Sequence, residues 1–396
     1  QLLPLPAGLR RLLQPGFAEV MAAGWAPLSL APWSTIQVAA SMVVAAGIAL
    51  TTARMAATRS GLPILLGIIA ATCGVMAVLG LAGESGAPEH VLLIRANTGG
   101  GGVYGPFVNP NHFAAGIELS LPAALVLLAA ALRNLPQPGS TRQRAAVTAL
   151  ASAVVVVVAV AAVLRSSSRG GVLFLALSLL LTVGLWLRPR RARRWPWVAG
   201  VSVLLVVTGA LAWTRLPEVR DGFSELFVVE GVDGNDRWDL WSGTIDSFKP
   251  SPVVGSGLGS YRHVIGLDKP ATGTSILEQA HNDWLEWAST GGIAGIAVLM
   301  LLLVGIGAGL RPNRVRRLRF DLRYPLAGAA TALVATALHE MVGFGLQTPG
   351  NRYLLAAWAG LIWGVWKRVD ASKVRERQRR ARDQETGPDD DVLEET

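Results

Sequence analysis

Apolar runs dominate the chain, and short polar connections cut one from the next. Stretches near 35–53, 62–82, 112–132, 145–164, 171–187, 197–214, 292–310, 325–345 and 353–367 carry almost no charge. About 20 apolar residues in a helix cross roughly 30 Å of hydrocarbon. Any one such run could instead be a buried core helix. So many in succession predict an all-α, polytopic transmembrane helix bundle of about nine spans. The one long polar interruption is 215–291. The pattern divides the chain into an N-terminal segment (1–34), a membrane block (35–214), a large loop with interfacial helices (215–291), a second membrane block (292–367) and a charged tail (368–396).

Arginine placement orients the spans. The connections 54–61, 133–144, 188–196 and 311–324 hold Arg54 and Arg59, then Arg133, Arg142 and Arg144, then five arginines from Arg188 to Arg194, then six from Arg311 to Arg323. The other short connections hold only Arg95, Arg165, Arg169 and Arg352. Short basic loops stay in the cytoplasm. The tail is therefore expected inside, and both 1–34 and 215–291 outside.

Composition agrees with a membrane chain and removes some functions. Of 396 residues, 51% are hydrophobic and 16% charged, with mean hydropathy +0.42. Soluble domains average about 25% charged residues. The net charge of +9 might suggest nucleic acid, but the basic residues sit mainly in inside loops, where topology explains them. The 215–291 loop is acidic, with twelve Asp/Glu against six Lys/Arg, so no nucleic-acid partner is expected. Cys73 is the only cysteine, which excludes an intramolecular disulfide. The chain opens at Gln1 without the pattern of a cleaved leader, as expected of a piece of a longer polypeptide with further spans upstream. The tail turns from basic (Arg375 to Arg382) to acidic (Asp389 to Glu395), a helical extension that becomes disordered.

Candidate chemistry lies at span ends. Ser166-Ser167-Ser168-Arg169-Gly170-Gly171 is a tight outward turn. Arg169 there either snorkels to the interface or binds an anion through bidentate hydrogen bonds; Arg165 is a weaker second candidate. Asn235-Asp236-Arg237-Trp238-Asp239-Leu240-Trp241 predicts an interfacial helix with both tryptophans on one face. Arg237 is either half of a surface pair with Asp236 or Asp239, or an anion ligand. Pro250 to Gly259 is a breaker-rich turn whose alternating glycines permit close backbone approach. Neither it nor the glycine run in Asn97–Gly105 has the lysine or the strand of a nucleotide loop.

Histidines complete the set. In Ala280-His281-Asn282-Asp283-Trp284-Leu285, the spacing predicts a helical face shared by His281, Trp284, Leu285 and Ala288, with Gly291-Gly292 closing the segment. A neutral imidazole there can accept a proton; a capped, structural histidine is the alternative. No second His or Cys stands at zinc-ligand spacing beside it. Asn109-Pro110-Asn111-His112-Phe113 marks entry to a span, with His112 placed to cap it. His339-Glu340 lies inside the 325–345 run, and ionisable groups at membrane depth usually face the bundle interior.

Together these pieces resemble the O-antigen ligase and polymerase superfamily of bacterial lipid-linked glycan transferases, from roughly Asn109 to Gly364. The elements are Asn109-Pro110-Asn111-His112-Phe113, Ser168-Arg169-Gly170-Gly171, Asp236-Arg237-Trp238, Pro252 to Gly257, His281-Asn282-Asp283-Trp284-Leu285 and His339 to Gln347. Two positions depart from the family pattern. Gly343-Phe344 lacks an Asp two residues ahead, and Thr290 stands where a Glu often precedes the glycine pair.

The resemblance implies a glycosyltransferase C-like fold in the inner membrane, with a site facing the periplasm. It implies inverting, metal-independent transfer of a glycan from undecaprenyl diphosphate to the hydroxyl of a glycolipid, glycan or protein, without a cofactor. By resemblance, Arg169 and Arg237 contact the diphosphate and His281 is catalytic. Asn282, Asn111, His112, Arg165 and His339 are the expected substrate-binding residues, and membrane lipids the surroundings. Polysaccharide polymerase and protein O-oligosaccharyltransferase are variants of this activity. A lipid-linked oligosaccharide transporter is the alternative from another class, and it requires charge near the membrane midplane. The transferase reading requires Arg169, Arg237 and His281 to share one cavity.

Overall fold

The computed structural model describes residues 1–19, 23–84, 90–91, 95–96, 103–166, 168–186, 237–268 and 278–385. The expected span at 197–214, the arginines 188–194, the glycines 99–102, residues 215–236 and the acidic end of the tail lie outside the described residues.

Helices make up nearly all of what is described. They are α1 (Ala7–Leu13), α2 (Pro32–Ala56), α3 (Gly61–Glu84), α4 (Pro110–Asn134), α5 (Ser140–Arg165), α6 (Arg169–Trp186), α7 (Arg237–Asp246), α8 (Tyr261–Asp268), α9 (Asp283–Gly309), α10 (Pro312–Val315), α11 (Phe320–His339) and α12 (Pro349–Glu385). The strands are two-residue ladders, one pairing Leu5–Pro6 with Trp25–Ala26 and the other His90–Val91 with Arg95–Ala96. α2, α3, α4, α5 and α9 are long and apolar enough to cross a membrane, and α6 is a shorter apolar helix. The fold is an all-α, membrane-type bundle, as the apolar pattern predicts.

α4 is the axis of the bundle, with α3, α5, α6, α11 and α12 packed around it. From Phe113 to Val126 every residue of α4 is buried, whereas the most apolar window of α9 buries nothing inside the protein. A helix apolar all round belongs in a core or against lipid, and these two helices take the two options. Pro122 inside α4 supplies no N–H to the preceding turn. There the Leu119 carbonyl accepts a hydrogen bond from Trp358 Nε1 at 2.6 Å.

Small residues set the α2–α12 contact. A Cβ at Gly360 would run into the Ala49 carbonyl and Thr52, and one at Gly364 into the Ala53 carbonyl and Ala56. Glycines four apart let two backbones touch, the usual device for helix association in lipid.

α9 breaks at Gly292, whose φ of 64° and ψ of −167° are not helical. The expected span start at 292 coincides with this break. The freed donors are taken up by the Pro250–Gly259 turn: Ile293 N–H donates to the Pro252 carbonyl at 2.8 Å and Ala294 N–H to Val253 at 3.0 Å. Gly255, Gly257 and Gly259 all have positive φ, and a Cβ at Gly255 would collide with the Thr290 carbonyl. This is the close approach their spacing predicts. The N-terminal segment seals the same joint. Gln1 Nε2 donates to Val254 and Thr290 carbonyls, and Gln14 Nε2 to Gly255.

One span differs from expectation. The 325–345 run is helical only from Phe320 to His339, and Glu340 is its C-cap. His339 and Glu340 therefore sit at a helix end rather than in mid-span. The chain then folds into a turn whose backbone groups are held by side chains from other helices.

Gly360→Leu is expected to destabilise the fold by about 1–3 kcal/mol, the usual penalty of overpacking. Its thermal midpoint in detergent should drop, whereas Gly350→Ala, with open space at its Cβ, should leave the midpoint in place.

Candidate functional site

The turn from Glu340 to Thr348 gathers the predicted residues. Asp283, the first residue of α9, is its main anchor. Its Oδ2 accepts from Leu346 N–H at 2.9 Å and its Oδ1 from Gln347 Nε2 at 2.8 Å. Its own N–H donates to the Glu340 and Gly343 carbonyls at 3.0 and 3.1 Å. Glu340 Oε2 accepts from Gly345 N–H at 2.6 Å. Asn351 Nδ2 donates to the Gly345 carbonyl, and the Arg352 guanidinium to those of Leu346 and Gln347.

So held, the turn presents Phe344. His112 and His281 both meet its ring edge-on, with centroids 4.4 and 4.5 Å away. Arg237 Nη1 donates to the Val342 carbonyl of the same turn. Arg237 is only 8% exposed, so it is not at the surface, and Asp236 lies outside the described residues. α7 starts at Arg237, and Trp238 and Trp241 pack edge to face at 5.2 Å, as the spacing of the tryptophans predicts.

His281 is not on the helical face that its spacing predicts. It precedes the helix, with a φ of 50° that non-glycine residues seldom adopt. Asn282 follows as the N-cap, its Oδ1 accepting from Trp284 and Leu285 N–H at 3.0 and 3.1 Å. This is the ordinary way to satisfy a helix's first donors, and it throws the His281 ring back toward Phe344. Burial, then the charge of Arg237, then that of His112, lower the His281 pKa to about 4. The imidazole is therefore neutral at physiological pH and able to accept a proton.

The α4 and α6 entries close the cluster. Asn109, not His112, caps α4, with its side chain accepting from Asn111 N–H at 2.8 Å. His112 instead has Nδ1 3.1 Å from Thr348 Oγ1, and its buried Nε2 has no hydrogen bond among the described residues. Asn111 Oδ1 accepts from Ser168 Oγ at 2.6 Å, and Ser168 Oγ in turn accepts from Gly171 N–H at 3.0 Å. That chain of bonds ties the turn carrying Arg169 to α4. Arg169 is half-buried at the first position of α6, whereas Arg165 is exposed at the end of α5.

His339 packs behind this turn. A Cβ at Gly170 would lie 3.1 Å from His339 Nε2. The ring stacks on Phe174 at 4.8 Å, and its Nδ1 is hydrogen-bonded to Glu118 Oε2 at 3.0 Å. His112, His281 and Arg237 are thus brought onto one turn, and His339 lies against Gly170, the residue next to Arg169.

Three participants escape the motif reading: Asp283, Phe344 and Glu118. Glu118 had a signal, as the one carboxylate within the apolar α4, where ionisable groups are rarely idle. Asp283 lies inside the His281 motif but does its work through a backbone N–H and a side-chain amide more than 60 residues away, which no local pattern marks.

Residues 153–300 match the family model described as O-Antigen ligase. The matched stretch contains Arg165, Arg169, Arg237, His281 and Asn282, while Asn111, His112 and His339 lie beyond it. No curated protein matches the chain.

Asp283→Ala strips the acceptors from Leu346 N–H and Gln347 and is expected to cost about 1–3 kcal/mol of stability. A urea or thermal series in detergent reads this directly. The His281 shift also sets a pH dependence. Its folded pKa lies below its unfolded value of 6.5, so the unfolded state takes up more protons between those values. Stability is thus lost as pH falls from about 6.5 toward 4. Thermal midpoints measured across that window should fall less steeply in His281→Asn.

Proposed function

From the match of residues 153–300 to the O-Antigen ligase family model, we propose that the chain is an enzyme of the O-antigen ligase and polymerase superfamily and moves a glycan from undecaprenyl diphosphate to an acceptor hydroxyl. His281 is the proton acceptor, and Arg237 and Arg169 bind the diphosphate. The observation that carries this reading is a neutral, half-buried imidazole kept beside a buried arginine.

The chemistry asks for both. Breaking a glycosyl–phosphate bond builds negative charge on the leaving oxygen, and a guanidinium fixed in advance stabilises it as it forms. The acceptor hydroxyl must lose its proton as the new bond to the anomeric carbon forms. Direct attack opposite the leaving diphosphate inverts that carbon. His281 Nδ1 or Nε2 takes the proton, in a state that Arg237 helps keep unprotonated. The same positive charge thus serves leaving group and base, and the reaction needs no metal to supply it. Asn111, through Ser168, fixes the turn that carries Arg169. Asn282 orients His281 by capping α9, and His112 lies across Phe344 as a second polar contact for substrate. The helix-end location suits a substrate whose polyprenyl tail stays in lipid while its diphosphate stays at the interface. The site belongs on the periplasmic side of the inner membrane, where the basic inside loops of the sequence leave it.

Transfer reconstituted with purified protein, a lipid-linked donor and an acceptor extract tests the reading. His281→Ala should lower kcat/KM by about 100- to 10,000-fold and Arg237→Ala by about 100- to 1,000-fold. With a base whose pKa is about 4, kcat/KM should climb through pH 4 and be flat by about pH 6. If both variants keep full transfer, the assignment is wrong. Product analysis in a strain lacking the gene then separates ligase, polymerase and protein glycosylation.

A further inference from the structure

A cavity of about 460 Å³ lies between the start of α2, the start of α8 and the Gln347–Arg352 corner. That size falls within the range of ligand sites, roughly 300–1,000 Å³. Such sites are usually lined by apolar side chains, and this one is not.

α2 is an apolar membrane helix that becomes polar on one face at this cavity. Ser34, Gln37 and Ser41 recur at i, i+3 and i+7, so they share a face, and all three line the cavity. The remaining polar residue of those turns, Thr35, is engaged elsewhere, donating to the Leu258 carbonyl at 2.8 Å. Polar side chains on a membrane helix point into the bundle or a wet cavity, and here they find one. No described residue hydrogen-bonds the Gln37 amide.

Charge narrows the ligand. Arg262 and Arg352 face Glu278 and Glu286 across the lining, so the formal charges cancel. Arg352 already spends its Nε and Nη2 donors on the Leu346 and Gln347 carbonyls. A diphosphate would meet two carboxyls here, and a lipid chain would strand the amides and hydroxyls without partners. An uncharged ligand rich in hydroxyls donates to carboxyls and accepts from amides and guanidinium groups, satisfying both kinds of wall.

The cavity is joined to the proposed reacting groups through one turn. The turn that sets Phe344 against His281 puts Gln347 in the cavity wall, and the Gln347 amide is the one bound to Asp283. We propose that this cavity is a subsite for an uncharged sugar residue of the acceptor, which it holds while the acceptor hydroxyl reaches His281. The proposal rests on the transferase reading above.

Two measurements test it. Cys73, the only thiol, is buried, so Gln37→Cys gives a single accessible site for a maleimide. A glycolipid extract from cells lacking this protein should slow its labelling at least fivefold, and undecaprenyl diphosphate alone should not. In the transfer assay, Gln37→Leu should raise the KM for that extract about tenfold, the loss of one good hydrogen bond. The KM for the donor should stay within twofold. Labelling that is indifferent to the extract, protection by undecaprenyl diphosphate alone, or an unchanged acceptor KM overturns the subsite. If the unaltered protein transfers nothing, the transferase reading fails, and the labelling result alone decides whether the cavity takes sugar.

Discussion

The Asp283 carboxylate is the constraint on which the site depends. A turn of nine residues between α11 and α12 has no ladder of its own, and its buried backbone donors must find acceptors. Asp283 accepts through both oxygens, from the Leu346 backbone N–H and from the Gln347 side-chain amide. Its position is decided in turn by Asn282, which caps α9. One short run therefore starts a helix, fixes a distant turn and aims His281. Because Phe344 is part of that turn, the two histidines packed on it inherit their geometry from the same carboxylate. The placement of Arg237 on the Val342 carbonyl adds the cation to the same frame.

That arrangement also bears on why the proposed proton acceptor is an imidazole and not a carboxylate. Asp283, Glu286, Glu340 and Glu118 are all buried near the turn. Each is already committed: Asp283 and Glu340 to the turn, Glu286 to Ala280 N–H at 3.0 Å, and Glu118 to His339. At least one oxygen of each is engaged in this way, whereas Oε1 of Glu118 and of Glu340 is buried without a hydrogen bond among the described residues. His281 differs in that burial and a neighbouring guanidinium keep it unprotonated, with a lone pair available.

What could be read from the chain followed from physics that is local. Helices α2 to α6 and the break at Gly292 follow from runs of apolar residues and from glycine, which act within a few residues. Arg237 and His281 stood out because polar, titratable groups are conspicuous beside membrane spans. The places where reading failed are those settled by distant partners. His281 left its predicted helical face because Asn282 won the cap. His112 lost the cap of α4 to Asn109, whose shorter side chain reaches Asn111 N–H. The helix expected to run to 345 stopped at His339, since Asp283 N–H takes the Glu340 and Gly343 carbonyls. Glu118 and His339 sit more than 200 residues apart in sequence and 3.0 Å apart in space, a pairing no spacing rule contains.

The packing of α12 against α2 ties the bundle to the chemistry. Gly360 and Gly364 bring the two backbones into contact deep in the bundle, and the same two helices continue to the site. There α12 contributes Asn351 and Arg352 to the turn, and α2 contributes Thr35 to the joint at Leu258. That joint clamps the break in α9 at Gly292, two turns after Asp283. A rigid helix transmits displacement along its length, so freedom in the glycine contact would be felt as freedom in Arg352 and hence in the turn. The proposed transferase site would tolerate little of it, since a misplacement of about 1 Å can cost on the order of 100-fold in rate. On that reading, small residues far from the site are as much a condition of the chemistry as the groups that would perform it.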